Sequence, residues 1–330
     1  MHKVTTKGVT GIMKRRTFLQ WTGAAAAGLW GLDTRAEEEL PNAAPPAGPG
    51  FPIADTHVHF WDPEHLPYSW IEGSEVLDRA FLPTDYSEHA GDMEVESIVF
   101  VEAGGHPDNA HDEAVWVAEL AEDDPRIEAI VAYAPLENGD EVEADLEKLD
   151  DIPKVRGVRR LLQGEGDPEF PLRPGYVEGV QRLAERDWVC ELGINRQQYE
   201  SAIELCTRCP DVRFVLNHLG APDIAGEELD PWREHIEAFA ELPNVWCKVS
   251  GAATLADHDD WTAEDLRPFI MHVIETFSPD RCCFGSDWPV LLRAGSLRQW
   301  VEALDLVTQD LSETERHKLW RDTSREVYNL

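Results

Sequence analysis

Two histidines two residues apart, His57 and His59, end the run Phe51-Pro-Ile-Ala-Asp-Thr-His-Val-His-Phe60. Side chains alternate with period 2 along a strand, so both imidazoles point to one face. A rigid strand end of this kind offers two nitrogens to a single metal ion or substrate. Twelve histidines in 330 residues make the pair a weak signal by itself. Its position strengthens it. His218, in Val215-Leu-Asn-His-Leu-Gly220, and Asp287, in Phe284-Gly-Ser-Asp287, also stand where apolar runs end.

The elements that must position these groups are legible from residue 51 onward. Short apolar runs at 53–60, 97–103, 127–136, 155–162, 188–195, 213–220, 244–251 and 281–289 alternate with amphipathic stretches such as 108–123, 197–209, 231–242 and 262–277. Near-continuous apolar strands separated by helices indicate a parallel sheet covered on both faces. Eight such units in 280 residues predict a single-domain α/β protein, a (β/α)8 TIM barrel over residues 51–330. A doubly wound sheet is the competing architecture, but no G-x-G-x-x-G follows the first strand. A capping box, Ser312-Glu-Thr-Glu315, starts a closing helix toward Tyr328. The long aromatic segment from Asp62 to Thr84 is placed to cover the mouth.

Barrels of this kind carry their chemistry at the C-terminal ends of strands. Those ends hold His57 and His59 (first), Arg159 and Arg160 (fourth), His218 (sixth) and Asp287 (eighth), with Lys248 near the end of the seventh. Each alone reads equally well as a core histidine, a surface arginine or a turn aspartate. Their convergence on one rim is what points to a site.

Residues 1–36 read as a signal peptide. Lys14-Arg-Arg-Thr-Phe-Leu precedes an alanine-rich apolar stretch and a small-residue zone, a pattern similar to twin-arginine export signals. Met13 directly precedes the motif and is an alternative start. Residues 37–50 form a Pro/Ala/Gly-rich linker. The expected mature protein is exported, periplasmic or extracellular, with no membrane anchor. Beyond residue 36 the chain carries 23 basic against 63 acidic residues, and only four of the basic ones are lysines. So acidic a surface argues against nucleic acid or anionic membrane as partner and suits high salt, where self-repulsion is screened. The six cysteines sit mainly in apolar contexts and read as structural thiols, Cys206-Thr-Arg-Cys209 included.

Four segments together resemble the amidohydrolase superfamily, in the branch that includes sugar-lactone hydrolases and 2-pyrone-4,6-dicarboxylate lactonase. They are Asp55-Thr-His-Val-His-Phe-Trp-Asp62, Val155-Arg-Gly-Val-Arg159, Val215-Leu-Asn-His-Leu-Gly-Ala-Pro222 and Phe284-Gly-Ser-Asp-Trp-Pro289; Asn244-Val-Trp-Cys-Lys-Val-Ser-Gly251 matches the same branch. The resemblance implies the barrel and makes His57, His59, His218 and Asp287 its central constellation. Two-metal relatives have a lysine at the end of strand four and a histidine on strand five. This chain has arginines and Cys190-Glu-Leu-Gly193 there, so a dinuclear site is not expected. Three imidazoles and a carboxylate suit one divalent ion, zinc or manganese, although some lactonases of this branch work without metal.

The expected activity is lactone hydrolysis, of a sugar lactone or related cyclic ester. Asp287 is the candidate general base and His218 its catalytic partner. Arg159 is expected to hold a substrate carboxylate in a bidentate fork. Lys248, Trp61, Glu102 and His106 are further substrate-binding candidates, with Trp70 and Trp288 flanking the motifs as other stacking surfaces. The expected partner is a small molecule; a homo-oligomer is left open. Two other readings stand beside this one: a metal-dependent decarboxylase of the same branch and a non-catalytic carbohydrate-binding protein.

Overall fold

A computed structural model of the protein describes residues 48–330. The expected signal segment, and all but the last three residues of the linker, lie outside the described residues.

Eight parallel strands follow one another around a nearly closed barrel: β1 (Ile53–Val58), β2 (Val95–Val101), β3 (Ile127–Ala132), β4 (Val155–Arg159), β5 (Val189–Leu192), β6 (Arg213–Leu216), β7 (Val245–Val249) and β8 (Cys282–Phe284). Each pairs with its sequence neighbour. The seam between β8 and β1 closes through single contacts. Val58 bridges Trp288, the His59 N–H donates to Trp288 O at 2.8 Å, and the Thr56 hydroxyl to Phe284 O at 2.7 Å.

Every expected strand is present, and all eight stop short of the expected C-terminal limit. After β6 and β8 the rim residues leave extended geometry. His218 has φ 52° and Asp287 φ 63°, left-handed conformations in which a strand cannot continue. Such backbone in non-glycine residues is costly and concentrates at functional sites.

Helices cover the outside of the barrel. Ala263–Phe277 begins at a capping box in which Thr262 accepts from the Asp265 N–H, and it buries Leu266, Phe269, Ile270, Val273 and Ile274 on one stripe. The closing segment keeps its Ser312 capping box but runs as three pieces, Glu313–His317, a π-turn at Lys318–Asp322, and Thr323–Tyr328. This last piece stops the N-terminal mouth. Its Arg325 pairs with Glu96, Arg213 reaches the Glu326 carbonyl, and Val327 and Tyr328 pack inward against Val99, Val131, Val189 and Val215.

At the opposite mouth, a segment leaves β1 at Trp61 and returns at Phe81, the two residues exchanging backbone hydrogen bonds of 3.1 and 2.8 Å. It is held down on the end of β2: the Trp70 indole donates to Ala103 O at 2.8 Å and the Tyr68 hydroxyl to Glu113 at 3.0 Å. All six cysteines are buried and unpaired. Among the described residues no helix is long and apolar enough to cross a membrane.

Candidate active site

The ends of β1, β6 and β8 are brought together by close backbone approaches. A side chain at Gly285 would put its Cβ 2.8 Å from the Cβ of His57, and one at Gly251 would come within 2.6 Å of the His218 ring. Only glycine lets these strands approach so closely. The Asp287 N–H donates to the His57 carbonyl at 2.8 Å, which registers the aspartate against the first histidine.

The result is a convergence on one oxygen. Asp287 Oδ1 lies 3.7 Å from His57 Nε2, 3.5 Å from His59 Nε2 and 4.0 Å from His218 Nε2. These spacings exceed a hydrogen bond. They approach the edge of roughly 3.4 Å expected for a tetrahedron of donors each about 2.1 Å from a zinc ion. Donor atoms of His57, His59 and Asp287 all fall within 4.8 Å of one another, a potential metal site.

Neighbouring groups prepare two of the imidazoles for such a role. His59 Nδ1 meets the Val101 carbonyl at 2.7 Å; a carbonyl only accepts, so Nδ1 carries the proton and Nε2 keeps its lone pair. His218 Nδ1 meets the Ser250 hydroxyl at 2.9 Å, a contact that orients the ring, although a hydroxyl can donate or accept and so leaves the position of the ring proton open. His57 differs, for its Nδ1 lies 3.3 Å from Lys248 Nζ and its Nε2 3.3 Å from Arg159 Nη1. Burial, then the charge of Lys248, pushes the His57 imidazole well below its ordinary range. Burial lowers His218 to about 4, against the opposing pull of Asp287. Both rings are therefore neutral at pH 7, the form in which imidazole binds a metal.

The remaining expected residues divide. Arg159 is buried, and its fork is taken: Nε and Nη2 donate to Glu102 Oε1 and Glu102 O at 2.7 and 2.6 Å. It is an internal ion pair and does not present a free bidentate clamp to substrate. Glu102 is correspondingly engaged, its Oε2 accepting from Gly104 N at 2.7 Å. Arg160 points the other way, to Glu137 and Glu165, as strand alternation requires. Lys248 is corrected outright. Fully buried, it donates to Glu191 at 2.6 Å and to the Thr56 carbonyl at 2.5 Å, below the rim and out of reach of substrate. Trp61 is also corrected, because it is fully buried and its indole N–H serves the Arg79 carbonyl at 2.9 Å. Trp288 is likewise sealed, while Trp70 stays 43 % exposed beside Gly104. His106 is exposed and lines a narrow cleft with Tyr68, Glu102, Glu113 and Tyr133.

Five residues went unremarked as site groups. Glu191, Asn217 and Tyr328 are buried beneath the histidines, with Asn217 and Tyr328 both donating to Glu191. Glu113 and Tyr68 form a pair that shares the cleft with Glu102. A charged residue in the apolar run Val189-Cys-Glu-Leu192 was a usable signal for Glu191. Glu113 sits among other acids on an amphipathic helix and gave none.

The amidohydrolase family model matches residues 54–330. The chain is 33 % identical over 290 residues to an L-fucono-1,5-lactonase of Burkholderia multivorans, covering 84 % of this chain and 95 % of that protein. It is 24 % identical to an L-rhamnono-gamma-lactonase of Scheffersomyces stipitis, covering 85 % and 99 %. Among solved structures it is similar to a Burkholderia multivorans amidohydrolase with bound zinc, at a TM-score of 0.75 and 31 % identity, covering 84 % of this chain and 99 % of that one.

Proposed function

The chain belongs to the amidohydrolase family, and from that premise we propose that it is a lactonase, opening a sugar lactone by attack of water. The reading rests on one observation above all, the convergence of three imidazoles on Asp287 Oδ1. Relatives named as sugar lactonases support it.

His57, His59, His218 and Asp287 are the residues that would hold a divalent ion, and zinc in a relative at 31 % identity supports that assignment. Such an ion, when bound, polarises the lactone carbonyl and makes water easier to deprotonate.

The protein's own groups do the rest. Asp287 accepts a proton from the attacking water at its carboxylate. The water oxygen bonds to the carbonyl carbon, and the ring C–O bond then breaks. Asp287 returns its proton to the departing oxygen, which becomes the new hydroxyl. His218, the most open of the three rings at 20 % exposure, faces incoming substrate and orients the carbonyl. Arg159, fixed by Glu102, supplies positive charge next to His57. Trp70 is the exposed aromatic surface on which a sugar ring can stack.

A panel of six-carbon and 6-deoxy aldonolactones, assayed by proton release with zinc- and manganese-loaded protein, tests this. Turnover with kcat/KM above about 10⁴ M⁻¹s⁻¹ on one of them is expected. Release of CO₂ from aromatic acids with no lactone turnover would overturn it. We further propose export of the mature protein on the strength of residues 14–36; the N-terminus of protein recovered from cell fractions tests that.

A further inference from the structure

We propose that Glu191, anchored by the Tyr328 hydroxyl, is the positioning residue that holds His57 in the site. It does so through Lys248 on one side of the ring and through Asn217 and Arg159 on the other. Glu191 Oε1 accepts from Lys248 Nζ at 2.6 Å and from the Tyr328 hydroxyl at 2.7 Å; Oε2 accepts from Asn217 Nδ2 at 2.9 Å. Both arms end on the same imidazole. Lys248 Nζ stands 3.3 Å from His57 Nδ1, while Asn217 Oδ1 accepts from Arg159 Nη1 at 3.4 Å and that nitrogen stands 3.3 Å from His57 Nε2.

The bonding capacity of each group makes this more than a buried ion pair. An ammonium has three donors and no acceptor, and Lys248 Nζ has three neighbours: it donates to Glu191 and to the Thr56 carbonyl, and its charge stands 3.3 Å from His57 Nδ1. Two of the three lie on consecutive residues of β1. The ammonium therefore fixes both the backbone before His57 and the ring itself. Glu191, Lys248, Tyr328 and His57 are each fully buried, so no water substitutes for a missing member. A buried ammonium deprived of its carboxylate is strongly unfavourable. Lys248 can occupy the barrel interior only because β5 supplies Glu191.

The chain of contacts runs from the helix that stops the N-terminal mouth to the rim at the other end. Tyr328 touches neither the imidazoles nor Asp287, yet its hydroxyl sets the orientation of the carboxylate on which both arms depend. It is a positioning residue, with Glu191 and Lys248 standing between it and the ring.

Tyr328→Phe removes one hydroxyl and keeps the packing, so it is the lead variant; Glu191→Gln is the second. Zinc affinity by chelator competition and ¹⁵N-histidine NMR of the ring nitrogens, with His57 assigned by its loss in His57→Gln, are the readouts. Tyr328→Phe is expected to weaken zinc binding about tenfold, the range for groups behind a metal ligand. It is also expected to shift the His57 ring nitrogens while leaving those of His59 in place. Glu191→Gln is expected to do the same more strongly. A Tyr328→Phe protein that only melts earlier, with His57 resonances unmoved, overturns the proposal. The inference builds on the site described above. A wild-type protein that binds no zinc counts against that reading alone, because the NMR arm still decides this one.

Discussion

Asp55 and Ser286 stand 231 residues apart and meet at the barrel seam, where the Ser286 N–H donates to Asp55 Oδ1 at 2.8 Å. The same oxygen accepts the His57 N–H at 3.2 Å, and Oδ2 accepts the Tyr86 hydroxyl at 2.9 Å. One buried carboxylate thus ties the backbone of the first metal-type ligand to the residue preceding the last. Asp55→Ala strands three donors in a sealed place. It is expected to cost at least about 3 kcal/mol in urea unfolding, at about 1–3 kcal/mol for each unpaired group. Asp55→Asn, which keeps an acceptor for both backbone donors, should lose much less. Equal losses in the two variants would contradict this account.

Asp287→Asn keeps the shape of the site and removes the proton acceptor. Lactone turnover is expected to fall about 10²–10⁴-fold, the usual range for a general base. Circular dichroism should be unchanged. Retention of full activity would show that the proton leaves by another route.

Removal of metal has a thermal signature as well as a catalytic one. Zinc at a hundred times its Kd stabilises a folded protein by about 2.7 kcal/mol. Since each kcal/mol is worth about 2–4 °C in a protein of about 150–250 residues, and somewhat less in a longer one, dialysis against a chelator is expected to lower Tm by about 5 °C. Added zinc or manganese should restore both Tm and activity. An apoprotein that melts where the loaded protein does, at full activity, would refute the metal assignment.

Glu113 predicts a pH dependence. Burial first, then the charge of Glu102, pushes its carboxyl from 4.5 up to about 8. Between those values the folded chain holds a proton that the unfolded chain has released, so this group's contribution to stability falls as pH rises through that window. The slope is at most about 1.4 kcal/mol per pH unit. Glu113→Gln retains an acceptor for the Tyr68 hydroxyl and the Ala103 N–H but cannot ionise. Its stability relative to the parent should therefore grow from pH 5.5 to 7.5 in denaturant titrations. Parallel profiles would discard the explanation.

Trp70 is held by a hydrogen bond to the end of β2 with a face left open. Trp70→Ala is expected to raise KM for a sugar lactone by up to about tenfold, the worth of one stacking contact, with kcat and Tm nearly unchanged. A fall in kcat with KM unmoved would place the ring elsewhere in the reaction.

Most of the architecture was legible in the sequence because a buried parallel strand leaves an apolar run of the right length. The rim residues were legible for the same reason, since chemistry-bearing types interrupt those runs at their ends. What stayed hidden depends on which distant side chains share the interior. Lys248 looks like a rim residue along its own strand, and only its pairing with Glu191 of β5 reveals a buried ammonium. Trp61 reads as a stacking surface until Phe81 folds back over it. Tyr328, at the far end of the chain, carries no local sign that it reaches the barrel interior. Strand limits were overrun where His218 and Asp287 turn left-handed, because φ leaves no trace in hydropathy.

Since all six cysteines are buried, and burial pushes even the Cys209 thiol up to about 11, the native fold offers maleimide dyes almost no thiolate to attack. A single cysteine introduced at Val76, 40 % exposed in the segment that covers the mouth, would be the one addressable position on the molecule. A fluorophore there would read the position of the covering segment against the end of β2, to which Trp70 ties it, as an optical gauge of substrate entry.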